Sequence, residues 1–296
     1  MQDEFASAWS YRLNWAYLLL VVALLMVPVF YNLYISFNEL GFGAAEYRFT
    51  LAWYRVVFED EQLMSAFGWT MLLAAVTVLF SIPFGILTAK LFKRTRHKVA
   101  VVALMLLPLF VPADIFASAL LVFFKNLNRG FAWLSDELGV GLFQDWFELS
   151  FTTAAIGLVI YTLPYAFVVI LITMGRLHAE QTEAARSCGA TAWEAFWHIE
   201  FPQIRAGILA SGAFVVILTF NEYTRTSMLK GGFDTFTTVL VSQMLNTGMS
   251  EQSYAMGGIV SSAAILVIGG ILLYTLARAE RLERIARAKA EGAAAG

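Results

Sequence analysis

Six apolar stretches, each long enough to cross a lipid bilayer, constrain the fold of this chain more than any other feature of its sequence. The hydrocarbon core of a bilayer is about 30 Å thick, and a helix needs roughly 20 apolar residues to cross it. Because lipid offers no partners to backbone amides and carbonyls, each stretch is predicted to be a helix. The fold class is therefore an all-α integral membrane protein whose membrane domain covers residues 15–278. The six predicted spans are 15–37, 67–92, 99–124, 151–175, 207–229 and 256–277.

The composition excludes several other classes of protein. Hydrophobic residues make up 59% of the chain and charged residues 14%, whereas soluble domains have about 45–50% and about 25%. A soluble fold would lack the polar surface needed to cover six such helices. A net charge of -2 and the absence of a large basic block argue against nucleic-acid binding. One cysteine, Cys188, and three scattered histidines give no zinc-binding pattern, and no metal site is predicted.

Lysine and arginine accumulate in alternate loops, which fixes the expected orientation. They follow the second, fourth and sixth spans, and the remaining loops carry an acidic excess. Residues 1–14 and 279–296 are therefore predicted to be a cytoplasmic N-terminus and a cytoplasmic tail. The basic residues are Lys93, Arg94, Arg96 and Lys98, then Arg176, Arg186 and Arg205, then Arg278, Arg281, Arg284, Arg287 and Lys289.

Two outer segments, 51–58 and 131–134, are rich in aromatic residues. They are predicted to form short helices at the membrane interface, where Trp and Tyr are favoured. A platform for an extracytoplasmic partner is an alternative interpretation, and the two are compatible.

The loop at 180–202, between the fourth and fifth spans, carries the most informative motif. Its pattern predicts two short helices separated at Gly189, a residue able to take a positive φ and end the first helix. Pro202 is expected to end the second helix or to begin the next one. Small side chains at Ala184 and Ala185 allow another backbone to approach. Exposed aromatic residues on such a hairpin favour a protein groove as their partner.

The spacing of Glu183-Ala-Ala, Gly189 and Ile199-x-Phe-Pro202 resembles the EAA loop of the permeases of ATP-binding-cassette (ABC) importers. Phe201 stands where leucine is commoner in that family. The resemblance covers essentially the whole chain and is strongest to the spermidine/putrescine-type permeases. Three further segments carry it: 49–54, 112–115 and 220–223. The last, Phe-Asn-Glu-Tyr, departs from the usual Phe- or Met-Asp-Asp run and leaves the solute open.

The resemblance implies a bacterial inner-membrane transport subunit that is not itself an enzyme. The implied partners are a second, homologous permease subunit, two ATP-binding subunits and a periplasmic binding protein that delivers the solute. The chain has no G-x-x-x-x-G-K-[ST] motif, so ATP and Mg²⁺ are expected on the ATP-binding subunits. The residues implied in coupling are Glu183, Ala184, Ala185, Gly189, Ala190, Trp193, Phe196, Trp197, Ile199 and Pro202.

Two carboxylates inside predicted spans, Asp114 and Glu222, are candidate solute contacts, because ionisable groups in lipid are costly and often functional. Each lies about 15 residues from the inner end of its span, or roughly 22 Å at 1.5 Å per residue. Tyr161, Tyr165 and Tyr223 could add cation–π contacts to a cationic solute. Two structural alternatives stay open: Glu222 pairs with Arg225 one turn away, and Asp114 caps a broken helix.

The leading prediction for the solute is a polyamine such as putrescine or spermidine. Sugars, opines, phosphonates and amino-acid derivatives are alternatives within the importer interpretation. From other classes, an ion-coupled secondary transporter would leave the 180–202 loop unexplained. An intramembrane enzyme would need a convergent catalytic cluster within the spans, and only Asp114 and Glu222 lie there.

Overall fold

A computed structural model describes residues 8–139, 147–175, 177 and 179–294. The regular structure in these ranges is helical, apart from one isolated β-bridge between Asn38 and Phe49. Residues 1–7 of the predicted N-terminal segment, Arg176, His178 and the last two residues of the predicted tail lie outside the described ranges. The helices are α1 (Ala8–Ser36), α2 (Ala52–Glu59), α3 (Glu61–Arg94), α4 (Lys98–Leu106), a 3₁₀ turn (Leu107–Phe110), α5 (Ala113–Leu138), α6 (Phe151–Met174), α7 (Ala179–Ser187), α8 (Ala192–Ala195), a π turn (Phe196–Glu200), α9 (Phe201–Phe220), α10 (Thr224–Leu229), α11 (Phe236–Thr247) and α12 (Glu251–Ala294).

Four helical segments in the described residues are long and apolar enough to cross a membrane. A fifth is added if α4, the 3₁₀ turn and α5 count as one bent span. The sixth predicted span, 256–277, lies within α12, several of whose side chains are outside the described set, and it stays a prediction. The four segments are Tyr11–Ser36, Glu61–Arg94, Phe151–Met174 and Ala192–Phe220.

The third predicted span, 99–124, is not one straight helix, contrary to the sequence-based expectation. The chain bends by 101° between Phe110 and Ala113. Pro112 causes the break: it lacks an N–H donor, and it drives Val111 into an extended conformation with ψ 127°. The break places Asp114 in the first turn of α5.

The fifth predicted span, 207–229, was wrong at both ends. Helical structure begins at Ala192 and passes through the π turn and Pro202 without interruption. Proline removes an i→i−4 hydrogen bond, and the wider π turn just before it carries the chain through that loss, with the Phe201 N–H bonded to the Phe196 carbonyl. The helix then ends at Phe220, and α10 starts after a short non-helical segment.

The structure divides into two compact units, Met1–Met64 with Ser242–Leu266 and Ser65–Val241 with Val267–Gly296. In the first, a compact loop after α1 is held by Asn38, whose side-chain amide donates to the Gly41 carbonyl at 3.0 Å. The predicted helix at 51–58 is present as α2, whereas the one predicted at 131–134 is part of α5.

In the second unit, α6 packs along α9, and α10 packs on both α5 and α6. One buried cluster joins Phe124 and Leu158 to Leu229 of α10, and another joins Ala89, Phe167 and Ile204. These contacts hold the 180–202 loop at one end of α6 and α9, and α10 beside the start of α5.

Candidate functional site

The first half of the 180–202 loop ends in a complete Schellman motif. The Ala190 N–H donates to the Ala185 carbonyl at 3.1 Å, and the Gly189 N–H donates to the Arg186 carbonyl at 3.0 Å. Gly189 has a φ of +97°, as its position after the helix predicted. A Cβ on Gly189 would meet no atom within 4 Å, so the need for glycine here comes from the backbone alone.

The second half of the loop starts with a capping box formed by Thr191 and Glu194. The Glu194 N–H donates to Thr191 Oγ1 at 3.2 Å, while the Thr191 N–H and hydroxyl each donate to the Glu194 carboxylate at 2.8 Å. These hydrogen bonds, from the backbone first and the hydroxyl second, lower the pKa of Glu194. Our sequence prediction missed this pair, although Thr-x-x-Glu before an apolar run is the signature that identifies it.

Aromatic rings cover one side of the second helix and the π turn. Trp197 lies 5.4 Å from Trp193 and 4.7 Å from Phe201, measured between ring centroids. Trp193 is 69% exposed and Trp197 is 40% exposed, whereas Ala195 between them is buried. The loop therefore presents a large apolar surface held in a fixed shape.

The remaining residues implied in coupling lie on the same loop. Glu183, Ala184 and Pro202 are exposed, and Ala185, Ala190, Phe196 and Ile199 are half-buried. Gln203 joins the two halves, because its amide donates to Gln181 at 2.8 Å.

The base of the loop rests against the end of α3. The ammonium of Lys90 lies 2.5 Å from a carboxylate oxygen of Glu200 and 4.1 Å from the centre of the Phe196 ring. The Lys93 ammonium donates to the Met174 carbonyl at the end of α6. A groove of about 300 Å³ lies at this contact, and it is lined by Lys90, Lys93, Arg94, Met174, Leu177, Thr182, Glu183, Arg186 and Glu200.

The second candidate site surrounds the break between α9 and α10. Glu222 is 8% exposed and Arg225 is 6% exposed, and their side chains form an ion pair of 2.8 Å. A second Glu222 oxygen accepts the Arg225 backbone N–H at 2.9 Å, so this donor in the first turn of α10 has a partner. The guanidinium also lies 3.9 Å from the centre of the Tyr161 ring. The pairing that the sequence allowed as an alternative is therefore present.

Asp114 differs from Glu222 in its surroundings. It is exposed in the first turn of α5, and among the described residues its carboxylate has no ion pair or hydrogen bond. The alternative role as a helix cap is not observed, since Pro112 occupies the N-cap position. Phe116, two residues further along α5, lies 5.6 Å from the Arg225 guanidinium.

The predicted tyrosines are only partly brought together. Tyr161 and Tyr165 pack edge to face with centroids 5.6 Å apart, and Tyr165 also contacts Phe214 of α9. Tyr223 is half-buried just before α10. In the described ranges no group of three His, Cys, Asp or Glu residues is placed to hold a metal ion.

Comparisons with known proteins give the family of the chain. The model of the family described as binding-protein-dependent transport system inner membrane component matches residues 81–281. The putrescine transport system permease protein PotI of Escherichia coli is 26% identical over 278 residues, covering 92% of this chain and 94% of that protein. The osmoprotective compounds uptake permease protein GgtC of Synechocystis is 24% identical and covers 90% of this chain and 98% of its own length. The sulfate transport system permease protein CysT of Escherichia coli is 24% identical over 76% of this chain and 79% of that protein.

The fold also has a solved counterpart. A chain of a bacterial ABC transporter involved in the import of the acidic polysaccharide alginate superposes with a TM-score of 0.62 at 18% identity, covering 91% of this chain and 95% of that one.

Proposed function

This chain belongs to the family of binding-protein-dependent transport system inner membrane components, the permease subunits of ABC importers, and we propose that its 180–202 loop couples solute import to ATP hydrolysis on a partner chain. In this proposal both termini and the loop face the cytoplasm. The assembly contains a second, homologous permease subunit, two ATP-binding subunits that carry ATP and Mg²⁺, and a periplasmic binding protein.

The observation that carries the proposal is the exposed aromatic surface of Trp193 and Trp197 on a hairpin with a fixed turn. An exposed apolar face of this kind favours a partner groove. The Schellman turn at Gly189 and the capping box at Thr191 set the angle between the two short helices. A force on the second helix passes directly to α9, because the chain is helical from Ala192 to Phe220.

The test is Gly189→Asp in the assembled importer in proteoliposomes. We expect loss of uptake and of ATPase stimulation by the loaded binding protein, with normal insertion into the membrane. Aspartate must adopt a positive φ there, and it adds a charge to the contact surface. Gly248→Asp is the matched control: Gly248 has a φ of +82° and equally open space, but lies between α11 and α12. Normal stimulated ATPase activity in Gly189→Asp would refute the role of the loop.

For the solute, we propose a polyamine. The similarity to PotI over nearly the full length supports this class, and the free carboxylate of Asp114 suits an ammonium group. Glu222 is compensated by Arg225, so its part is to position α10, with Tyr161, Tyr165 and Tyr223 as the aromatic surroundings. The similarity to osmoprotectant and sulfate permeases keeps other small solutes as alternatives.

The solute is tested by the ligand of the cognate binding protein, measured by calorimetry with putrescine, spermidine, sulfate and a sugar. Binding of putrescine or spermidine alone, followed by reduced uptake in Asp114→Asn, is the expected result. Binding of sulfate or the sugar instead would refute the polyamine proposal and leave the coupling proposal standing.

A further inference from the structure

The contact between Lys90 and the π turn links the coupling loop to a helix other than the one it continues into. Lys90 lies one turn before the end of α3, and Glu200 is the last residue of the π turn. Their side chains are 26% and 15% exposed, so water screens this pair less than a surface pair. The same ammonium lies over the Phe196 ring, at the first residue of that turn. One cation therefore holds both ends of the π turn.

Glu200 depends on Lys90 for its charge balance. Its Oε2 atom is buried and has no hydrogen-bond partner with good geometry in the described residues, so the nearby ammonium is its compensating group. Breaking a buried pair on one side leaves an uncompensated charge, which is strongly unfavourable. A rearrangement of the π turn that moved Glu200 from Lys90 would carry this cost.

The π turn is the segment most able to rearrange. Such turns are rare, less stable than α-helix and frequent at functional sites. Here it lies between the aromatic surface of the loop and Pro202, which has no N–H to donate in a helix.

We propose that Lys90 and Glu200 are positioning residues that fasten the π turn to α3, so that displacement of the coupling loop moves α3 together with α9. This inference rests on the proposed function of the 180–202 loop. It adds a second route by which the ATP-driven movement reaches the membrane domain, through the end of α3 rather than along α9 alone.

The experiment compares Glu200→Gln, Lys90→Met, Lys90→Arg and the exchanged pair Lys90→Glu with Glu200→Lys in the full importer in proteoliposomes. The readout is the ratio of ATPase activity with and without loaded binding protein, together with solute moved per ATP hydrolysed. We expect each neutral variant to lower the ratio by about fivefold or more, the lower end of ordinary coupling energies. Lys90→Arg should keep it, and the exchanged pair should recover part of it. Glu46→Gln, which removes the acid of an exposed pair with Arg48, is the control and should change nothing.

Copurification of the ATP-binding subunits separates coupling from assembly. An unchanged ratio in assembled Glu200→Gln and Lys90→Met would overturn the inference, as would equal losses in Lys90→Arg and Lys90→Met. If Glu200→Gln does not assemble, the comparison of the two Lys90 variants decides.

Gly189→Asp is measured alongside. If it retains stimulation of the ATPase, the proposed function itself fails. If Gly189→Asp loses stimulation while the Lys90 and Glu200 variants keep it, only this inference is rejected.

Discussion

Gly207 lies where α9 packs tightly against Thr173 of α6, and its substitution by alanine should destabilise the membrane domain. A Cβ at this position would overlap the side chain of Thr173, meeting its Cβ at 2.6 Å and its Cγ2 at 2.8 Å. Ile204 and Ser211 on either side are fully buried, so α9 has little room to move away. The clash must be relieved by shifting the two helices apart.

The size of the effect follows from a comparison with Gly212 on the same helix. A Cβ at Gly212 would meet only Val78 Cγ1, at 3.9 Å, which is an ordinary contact. Both substitutions gain about 1 kcal/mol of helix propensity. Only Gly207→Ala adds the cost of overpacking, about 1–3 kcal/mol. That cost is therefore the expected difference in the free energy of unfolding between the two variants.

Thermal unfolding of the purified protein in detergent measures this difference. With about 2–4 °C per kcal/mol for large domains, the Tm of Gly207→Ala should lie about 2–12 °C below that of Gly212→Ala. Adding Thr173→Ala to Gly207→Ala removes two of the three clashing atoms and should return part of the loss. Equal Tm values for the two glycine variants would refute the close packing of α9 on α6.

Two further predictions concern ionised groups. Arg225→Met alone should lower the free energy of unfolding by about 3–5 kcal/mol, because the Glu222 carboxylate then stays buried without its partner. The double variant Arg225→Met with Glu222→Gln should lose less. Thermal unfolding of both variants measures the order, and a smaller loss in the single variant would contradict this prediction. Hydrogen bonds from Thr191 hold the pKa of Glu194 below its ordinary value of 4.5. The ionised carboxylate therefore stabilises the capping box fully above pH 4.5, and this stabilisation is lost as the pH falls through the lowered pKa. An NMR titration of the Glu194 carboxyl carbon should therefore give a pKa below 4.5, and Thr191→Val should raise it.

The 180–202 loop was predictable in its parts, because short-range rules govern them. A glycine after a run of helix formers predicts the turn at Gly189, and the structure gives it a positive φ. The Thr191–Glu194 capping box was equally visible in the sequence. The link from Lys90 to Glu200 was not, because it joins residues far apart in the chain and depends on how α3 lies against the π turn.

The span boundaries show where hydropathy loses information. Apolar residues continue on both sides of Pro112, so a window average sees one helix there. After Phe220 the residues are mostly polar as far as Ser227, and the predicted span ran on because Met228 and Leu229 are apolar again. The structure instead breaks both. One break lies at Pro112, which has no N–H to donate, and the other follows Phe220, where Glu222 accepts a backbone N–H from the first turn of α10. In lipid such breaks need partners for the freed backbone groups. Thr237 supplies one, since its hydroxyl donates to the Phe220 carbonyl at the end of α9.

The two candidate carboxylates illustrate how burial decides between function and structure. From sequence, Asp114 and Glu222 are equivalent: each is an acid within an apolar span. A carboxylate that is buried in a membrane domain must be compensated within the protein, because no solvent is present to stabilise its charge when the solute is absent. Glu222, at 8% exposure, meets this condition through Arg225. Asp114 is exposed and has no such partner among the described residues. Under the proposed polyamine function, a cation would bind Asp114 without displacing an internal ion pair, whereas Glu222 would first have to give up Arg225.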